Sequence, residues 1–236
     1  MTIRKIALDK EIKENIVKID KNSPIYHRIL NVLKVDKNDD LILIDGSGFE
    51  YLAKLKEKGE NLVLEVVKKV KIKNKINKFL TVYLSFIKKN QMEDLIEKLV
   101  ELGVQKIVPI RTERTNWFLN EIPKRWENLV KKANEVSTWE NLTKIEKPLK
   151  FIDAIMNAKN SFIILADPYG EITLKQIKKK IKKVKNISLF IGPEGGFTEK
   201  EIKLAKQNGA NLVKITQNKF RTETATLIFS CLILYG

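Results

Sequence analysis

The chain has 236 residues, 43% of them hydrophobic, and a formal net charge of +16. One cysteine, Cys231, and one histidine, His27, exclude an internal disulfide and a cysteine-cluster metal site, and argue against histidine metal sites and a Ser-His-Asp triad. No run approaches the roughly 18 apolar residues of a membrane span, and the start of the chain alternates charged and apolar residues with no signal-peptide core. The expectation is a cytoplasmic protein with no metal and no membrane partner.

Charge is unevenly spread. Residues 1–72 carry 15 basic and 12 acidic residues, whereas 73–236 carry 30 and 17. A cationic surface gains affinity for phosphates by releasing counterions, so a nucleic acid is the natural partner. The alternative is a lysine-rich composition of the kind found in heat-adapted proteins. Lysine is the default cation here, with 39 of the 45 basic residues. The six arginines are Arg4, Arg28, Arg111, Arg114, Arg125 and Arg221. A planar guanidinium is not replaceable by lysine where bidentate or stacking contacts matter, so these positions carry extra weight.

In chain order, 1–72 read as a β-rich domain. Strands are expected at 41–45 and 51–55 around the turn Asp45-Gly-Ser-Gly48, and at 62–70, a spacing that suggests a small barrel. Helical spacing covers 24–33, and the lysine- and asparagine-rich stretch 71–78 reads as a linker. From 79 onward strands and helices alternate. Strands are expected at 80–86, 106–110, 162–166, 187–191 and 212–215. One helix carries Met92, Leu95, Ile96 and Leu99, with Gly103 just past its end. Pro123 opens a second with Trp126, Leu129 and Ala133. Leu174, Ile177, Ile181 and Val184 mark a third, whose lysines at 175, 178, 179, 180, 182 and 183 read as a solvated face. A fourth runs from Glu199 to Gly209. A last one, after Arg221, is apolar nearly all round, which predicts burial in the core or at a subunit interface; Cys231 within it reads as a buried small hydrophobe. The alternation predicts an α/β domain, a mostly parallel sheet covered by helices on both faces.

The most informative segment is Phe190-Ile-Gly-Pro-Glu-Gly-Gly-Phe-Thr198. Three of the ten glycines fall within five positions of it. It joins a strand to a helix whose start has a capping box, Thr198 with Glu201, and a staple, Phe197 with Ile202. The plain reading is a tight turn; the functional one is a backbone-lined pocket at a strand end. Neither a P-loop nor a Gly-x-Gly-x-x-Gly fingerprint is present. Loops at 167–170, 192–197 and 216–224 all follow apolar strands and are expected to converge on one sheet edge, which suits a ligand read by its edges, such as an adenosine moiety. Arg221-Thr-Glu-Thr-Ala225 opens the last helix, with Thr222 a candidate N-cap and Glu223 complementing the helix dipole.

Ile191-Gly-Pro-Glu-Gly-Gly-Phe-Thr-Glu-Lys-Glu201 together with Phe220-Arg-Thr-Glu-Thr-Ala225 resembles the ribosomal RNA small subunit methyltransferase E family, of the SPOUT superfamily. Matching stretches are Glu101-Leu-Gly-Val-Gln-Lys-Ile-Val-Pro-Ile-Arg-Thr-Glu-Arg114, His27-Arg-Ile-Leu-Asn-Val-Leu33 and Asp45-Gly-Ser-Gly-Phe-Glu-Tyr51, so the likeness spans essentially the whole chain. The resemblance implies a PUA-like RNA-binding β-barrel over 1–72 and a SPOUT domain with a trefoil knot over 73–236. It implies a homodimer that uses S-adenosyl-L-methionine to methylate N3 of one uridine in 16S ribosomal RNA. On this chain the implied catalytic residues are Arg221 and Glu223, with Glu194 or solvent as other candidates for the base. The implied cofactor wall is Leu165, Asp167, Ile191, Gly192, Pro193, Glu194, Gly195, Gly196, Ile215, Phe220, Thr222, Thr224 and Ala225. The implied RNA contacts are Arg4, His27, Arg28, Lys34, Arg111 and Arg114. Two stretches depart from the family pattern: Glu135-Val-Ser-Thr-Trp139 stands where Glu-Gln-Ser-Gly-Arg is usual, and Thr216-Gln-Asn-Lys-Phe220 where Gly-x-Arg-Ile-Leu is usual. The other readings are a knotted ribose 2′-O-methyltransferase acting on transfer or ribosomal RNA, and a non-catalytic ribosome-assembly RNA binder.

Overall fold

The computed structural model describes residues 4–37, 39–73, 76–137 and 139–236. Thr138, in the divergent stretch 135–139, and residues 74–75 of the expected linker lie outside the described residues. The chain forms two compact units, Met1–Lys75 with Asn134–Leu142, and Ile76–Ala133 with Thr143–Gly236.

The first unit contains β1 (Arg4–Ala7), β2 (Ile16–Asp20), α1 (Pro24–His27) with a π-helical turn at Arg28–Val32, β3 (Asp40–Ile44), β4 (Phe49–Lys58) and β5 (Asn61–Lys71). The strands form one sheet in the order β1-β3-β4-β5-β2, in which only β1 and β3 pair in parallel. Side chains alternate along it, so Leu41, Leu43, Ala53, Leu55, Leu62 and Leu64 share one core with Ile6 and Ile29. The strand β5 runs on through Lys71, whose successor Ile72 donates to Gly48 O, so the expected linker is shorter at its start. Buried Glu135, from the segment that returns to this unit, accepts from Ala7 N at 3.0 Å and from Arg28 Nη1 at 2.7 Å.

The second unit contains β6 (Phe79–Ser85), α2 (Lys89–Glu101), β7 (Lys106–Arg111), α3 (Lys124–Val136) as far as Ala133, β8 (Lys144–Ile145), β9 (Leu149–Lys150), α4 (Phe151–Asn157), β10 (Phe162–Ala166), β11 (Ile172–Thr173), α5 (Leu174–Lys183), β12 (Asn186–Ile191), α6 (Glu199–Gln207), β13 (Asn211–Lys214) and α7 (Thr222–Tyr235). Its sheet runs β11-β13-β10-β12-β6-β7-β8, with β9 also on β7, and every pairing is parallel. Both faces are covered, as parallel sheets require. On one face Leu80, Val82, Leu84, Ile187, Leu189 and Ile191 meet α2, α3, α5 and α7. On the other, Tyr83, Ile163, Leu165 and Phe190 meet α4 and α6. Gly103 and Gly209 end α2 and α6 at φ +77° and +83°, conformations that L side chains avoid.

Two expectations need correction. Cys231 is exposed, because α7 leaves Thr224, Cys231, Leu232 and Tyr235 on one outward stripe. Those residues stand at i, i+7, i+8 and i+11, the spacing of a single helix face. Helix α4 and the two-residue strands β8, β9 and β11 are absent from the sequence reading, since such short segments show no period.

Phe190 is fully buried, stacks on Tyr83 with centroids 4.3 Å apart and meets Phe151 edge-on. Phe190→Ala is expected to cost about 3–5 kcal/mol of stability, measured by urea denaturation; a loss below about 1 kcal/mol would contradict this packing.

Candidate active site

The parallel registers fix where the loops emerge. Ala166 pairs with Ile191 on one side and Val213 on the other, so the ends of β10, β12 and β13 lie side by side. The loops at 167–170, 192–198 and 215–221 therefore leave one edge, as expected. A fourth joins them, because Ile191 pairs with Leu84, and β6 pairs with β7 up to Ser85 and Ile110. The segment 112–115 follows directly.

Each loop has its own fastening. In the first, Asp167 is buried, donates its N–H to Val213 O, and accepts at Oδ1 from Tyr169 N at 2.7 Å. Gly170 closes this turn by donating to Asp167 O. A Cβ on Gly170 would lie 2.5 Å from Lys214 N, so the turn sits tight against β13. In the second, Gly196 N donates to Pro193 O at 2.8 Å, and Gly196 has φ +68°. The glycine run is thus a turn that buries Gly192 and Pro193 and exposes Glu194 and Gly195. The third loop meets the first where Lys219 Nζ lies 4.7 Å from the Tyr169 ring centre.

The start of α7 joins the same edge. Arg221, not Thr222, is the N-cap, and its side chain makes no capping bond. The Thr222 hydroxyl instead points to Gly192 O at 3.4 Å, a weak contact between the helix start and the glycine turn. Arg221 is exposed and Glu223 half-buried, and among the described residues neither is in an ion pair. Two of the expected wall residues contribute backbone only: Leu165 and Ile191 bury their side chains in opposite core faces. Ile215 and Ala225 are half-buried, and Phe220 and Thr224 are exposed.

The segment 112–115 is locked from below and across. Ser85, Thr112 and Thr115 form a hydroxyl cluster, with Thr112 Oγ1 to Thr115 Oγ1 at 2.8 Å and Ser85 Oγ to Thr115 Oγ1 at 3.0 Å. Arg114 Nη1 donates to Gly195 O at 2.6 Å and reaches Phe197 O at 3.4 Å. Glu201 is 5% exposed and serves two masters: Oε1 accepts from Glu113 N at 2.9 Å, and Oε2 from Thr198 N at 2.8 Å. The capping box read from sequence is present, but the bond to Glu113 was invisible there, since it spans 88 residues.

The remaining expected RNA contacts lie in the first unit. Arg4 is paired with Asp39, whose carboxyl lies below the usual range, first through the backbone N–H of Asp36 and then through Arg4. Arg28 is held by Glu135. His27 and Lys34 are exposed, Lys34 at φ +48°. No cluster of three or more His, Cys, Asp or Glu side chains suits a metal among the described residues, and no helix there is long and apolar enough to cross a membrane.

The chemistry of the loop edge fits an adenosine-bearing group: backbone N–H and C=O groups around a glycine turn, apolar strand ends beneath, and a buried carboxylate at Asp167. Comparison with known proteins agrees with this class. The RNA methyltransferase domain matches residues 74–234 and the RNA methyltransferase PUA domain matches 16–67, so the second unit is an RNA methyltransferase fold and the first is PUA-like. The ribosomal RNA small subunit methyltransferase E of Buchnera aphidicola subsp. Schizaphis graminum is 31% identical over 209 residues, 85% of this chain and 83% of its own. That of Rickettsia conorii is 29% identical over 233 residues, 96% of this chain and 93% of its own. The crystal structure of a ribosomal RNA small subunit methyltransferase E from Neisseria gonorrhoeae bound to S-adenosyl methionine superposes with a TM-score of 0.81, at 25% identity, over 97% of this chain and 95% of that one. The chain belongs to the ribosomal RNA small subunit methyltransferase E family.

Glu201→Gln replaces one of two accepting oxygens by a donor, so either Glu113 N or Thr198 N loses its partner. Both N–H groups are part-buried, so losing the partner costs less than the roughly 1–3 kcal/mol of a fully buried one, and amide hydrogen exchange at Glu113 or Thr198 is expected to accelerate. Unchanged exchange at both would contradict the bridging role.

Proposed function

We propose that this protein methylates N3 of a specific uridine in 16S ribosomal RNA, using S-adenosyl-L-methionine. The observation that supports the reading is the contact of the glycine turn 192–196 with the start of α7 at Thr222, the helix start that carries Arg221 and Glu223. S-adenosyl-L-methionine supplies an electrophilic sulfonium methyl group, which passes to N3 as the sulfonium becomes a thioether. The residues that would hold it are Asp167 and the backbone of Leu165, the turn Ile191 to Gly196, the segment Ile215 to Phe220, and Thr222, Thr224 and Ala225.

The chain's own task is placement and charge. Holding the uracil in line with the methyl group removes an entropic barrier. The N3 proton must leave, and the negative charge then spreads over the two neighbouring carbonyl oxygens. Arg221, exposed and without an ion-pair partner among the described residues, stabilises that charge in this scheme. Glu223, half-buried in the first turn of α7, accepts the proton in this scheme. The base must be unstacked before it reaches such a site.

The assembly belongs to the same proposal. The exposed stripe of α7, with Leu232 46% exposed, supports a homodimer in which this helix is covered. The placement of β13 between β10 and β11, followed by the return of 215–221 to α7 packed on β12 and β6, supports a trefoil knot. In the first unit, the exposed His27 and Lys34 and the paired Arg4 and Arg28 form the RNA-facing set. The protein works in the cytoplasm, where its substrate is made.

Arg221→Lys keeps a charge and loses the planar fork. It is expected to fold, to bind S-adenosyl-L-methionine like the parent by calorimetry, and to lose about 10²-fold in methylation rate on small ribosomal subunits. Near-parental methylation by this variant would remove Arg221 from the mechanism.

A further inference from the structure

A groove of about 460 Å³ opens on the second unit beside the loop edge, between the end of β7, the start of α4 and the start of α6. Three cations line it, Arg111, Lys150 and Lys200, one from each of these elements or the strand leading into it. None of the three is in an ion pair among the described residues. Its apolar surface includes Ile152, 52% exposed, and Leu204. Two carboxylates face it: Glu113 is exposed, and Glu201 is buried and already accepts three hydrogen bonds.

The arginine at the rim is not a loose charge. The Arg111 guanidinium lies 3.6 Å from the ring centre of Phe118, itself partly exposed. An aromatic ring with a guanidinium over its face is the kind of pair on which unpaired bases stack. Lysines flanking such a pair suit the phosphates of a single strand. The groove is tied to the glycine turn, because Thr112, Glu113 and Thr115 line it while their neighbour Arg114 holds Gly195 O and Glu201 ties Glu113 to Thr198.

We infer that this groove binds the single-stranded RNA flanking the target nucleotide, Lys150 and Lys200 on phosphates and Arg111 with Phe118 under a base. The inference rests on the RNA-methyltransferase reading above and assigns its strand path, bringing in Lys150, Lys200 and Phe118. The same latch that shapes the turn would then set the distance between the bound strand and the reacting base.

The test measures binding of the full-length protein to unmethylated small ribosomal subunits between 50 and 200 mM salt, a range over which phosphate contacts show as a slope of about 0.7 per contact for single strands. The triple variant Arg111→Gln, Lys150→Gln, Lys200→Gln is compared with Lys178→Gln, Lys179→Gln, Lys182→Gln on the exposed face of α5. The groove triple is expected to lower the slope by about 1.4, from the two lysine contacts, and to weaken binding at least tenfold, with a clearly smaller effect from the α5 triple. An unchanged slope, or an equal loss from the α5 triple, overturns the groove, as does absence of subunit binding by the parent. If the groove triple melts early, the single variants Lys150→Gln and Lys200→Gln carry the test, each expected to remove about 0.7 from the slope. Failure of the activity reading is separate: it shows as a parent protein that binds subunits yet makes no 3-methyluridine.

Discussion

The parallel pairing of β12 with β10 on one side and β6 on the other is the constraint on which the rest depends. A parallel sheet sends every strand-to-helix loop out of the same edge. Loops separated by tens of residues in sequence are thereby neighbours before any side chain is chosen. The alternation of Tyr83 and Phe190 to one face, and of Leu189 and Leu84 to the other, holds that register. A slip of one residue would turn both apolar sets inside out.

On that edge the chain spends few but well-placed polar contacts. Glu201 joins two loops through three bonds, Arg114 holds the carbonyls of the glycine turn, and Thr222 contacts it from α7. Of these, the charge-assisted bonds to the buried Glu201 carboxylate are the costly ones to break. Together they tie the turn to 112–115 and to α7, the kind of fastening that a site working by placement needs. The lysines of α5 show the contrast. Their faces are exposed, while Ile177 and Ile181 hold the helix to the core.

Much of this was legible in the sequence, for physical reasons. The strand at 162–166 agrees at both ends with the structure, because an apolar run is bounded there by polar residues and a Pro-containing turn. The box at Thr198 and Glu201 was legible because capping is local. What escaped is non-local or short. Arg114 stands out in the sequence as a rare arginine, but its hydrogen bond to a turn 81 residues away is non-local and carries no local signal. Thr222 has the chemistry of an N-cap, but it is the first residue of α7, Arg221 holds the cap position, and the Thr222 hydroxyl lies 3.4 Å from Gly192 O. Helix α4 has seven residues, too few to show a period. Lys150 and Lys200 looked like any of the other lysines until the fold placed them around one groove.

The central claim is that this loop edge is a site for modifying one uracil ring nitrogen in small-subunit RNA. The most direct measurement is nucleoside mass mapping of 16S ribosomal RNA from cells with and without the protein, with the purified protein and S-adenosyl-L-methionine added back to the unmodified subunits. The account predicts a single 3-methyluridine that disappears with the protein and returns on its addition. A methyl group found on ribose, or no change in the map, would contradict it.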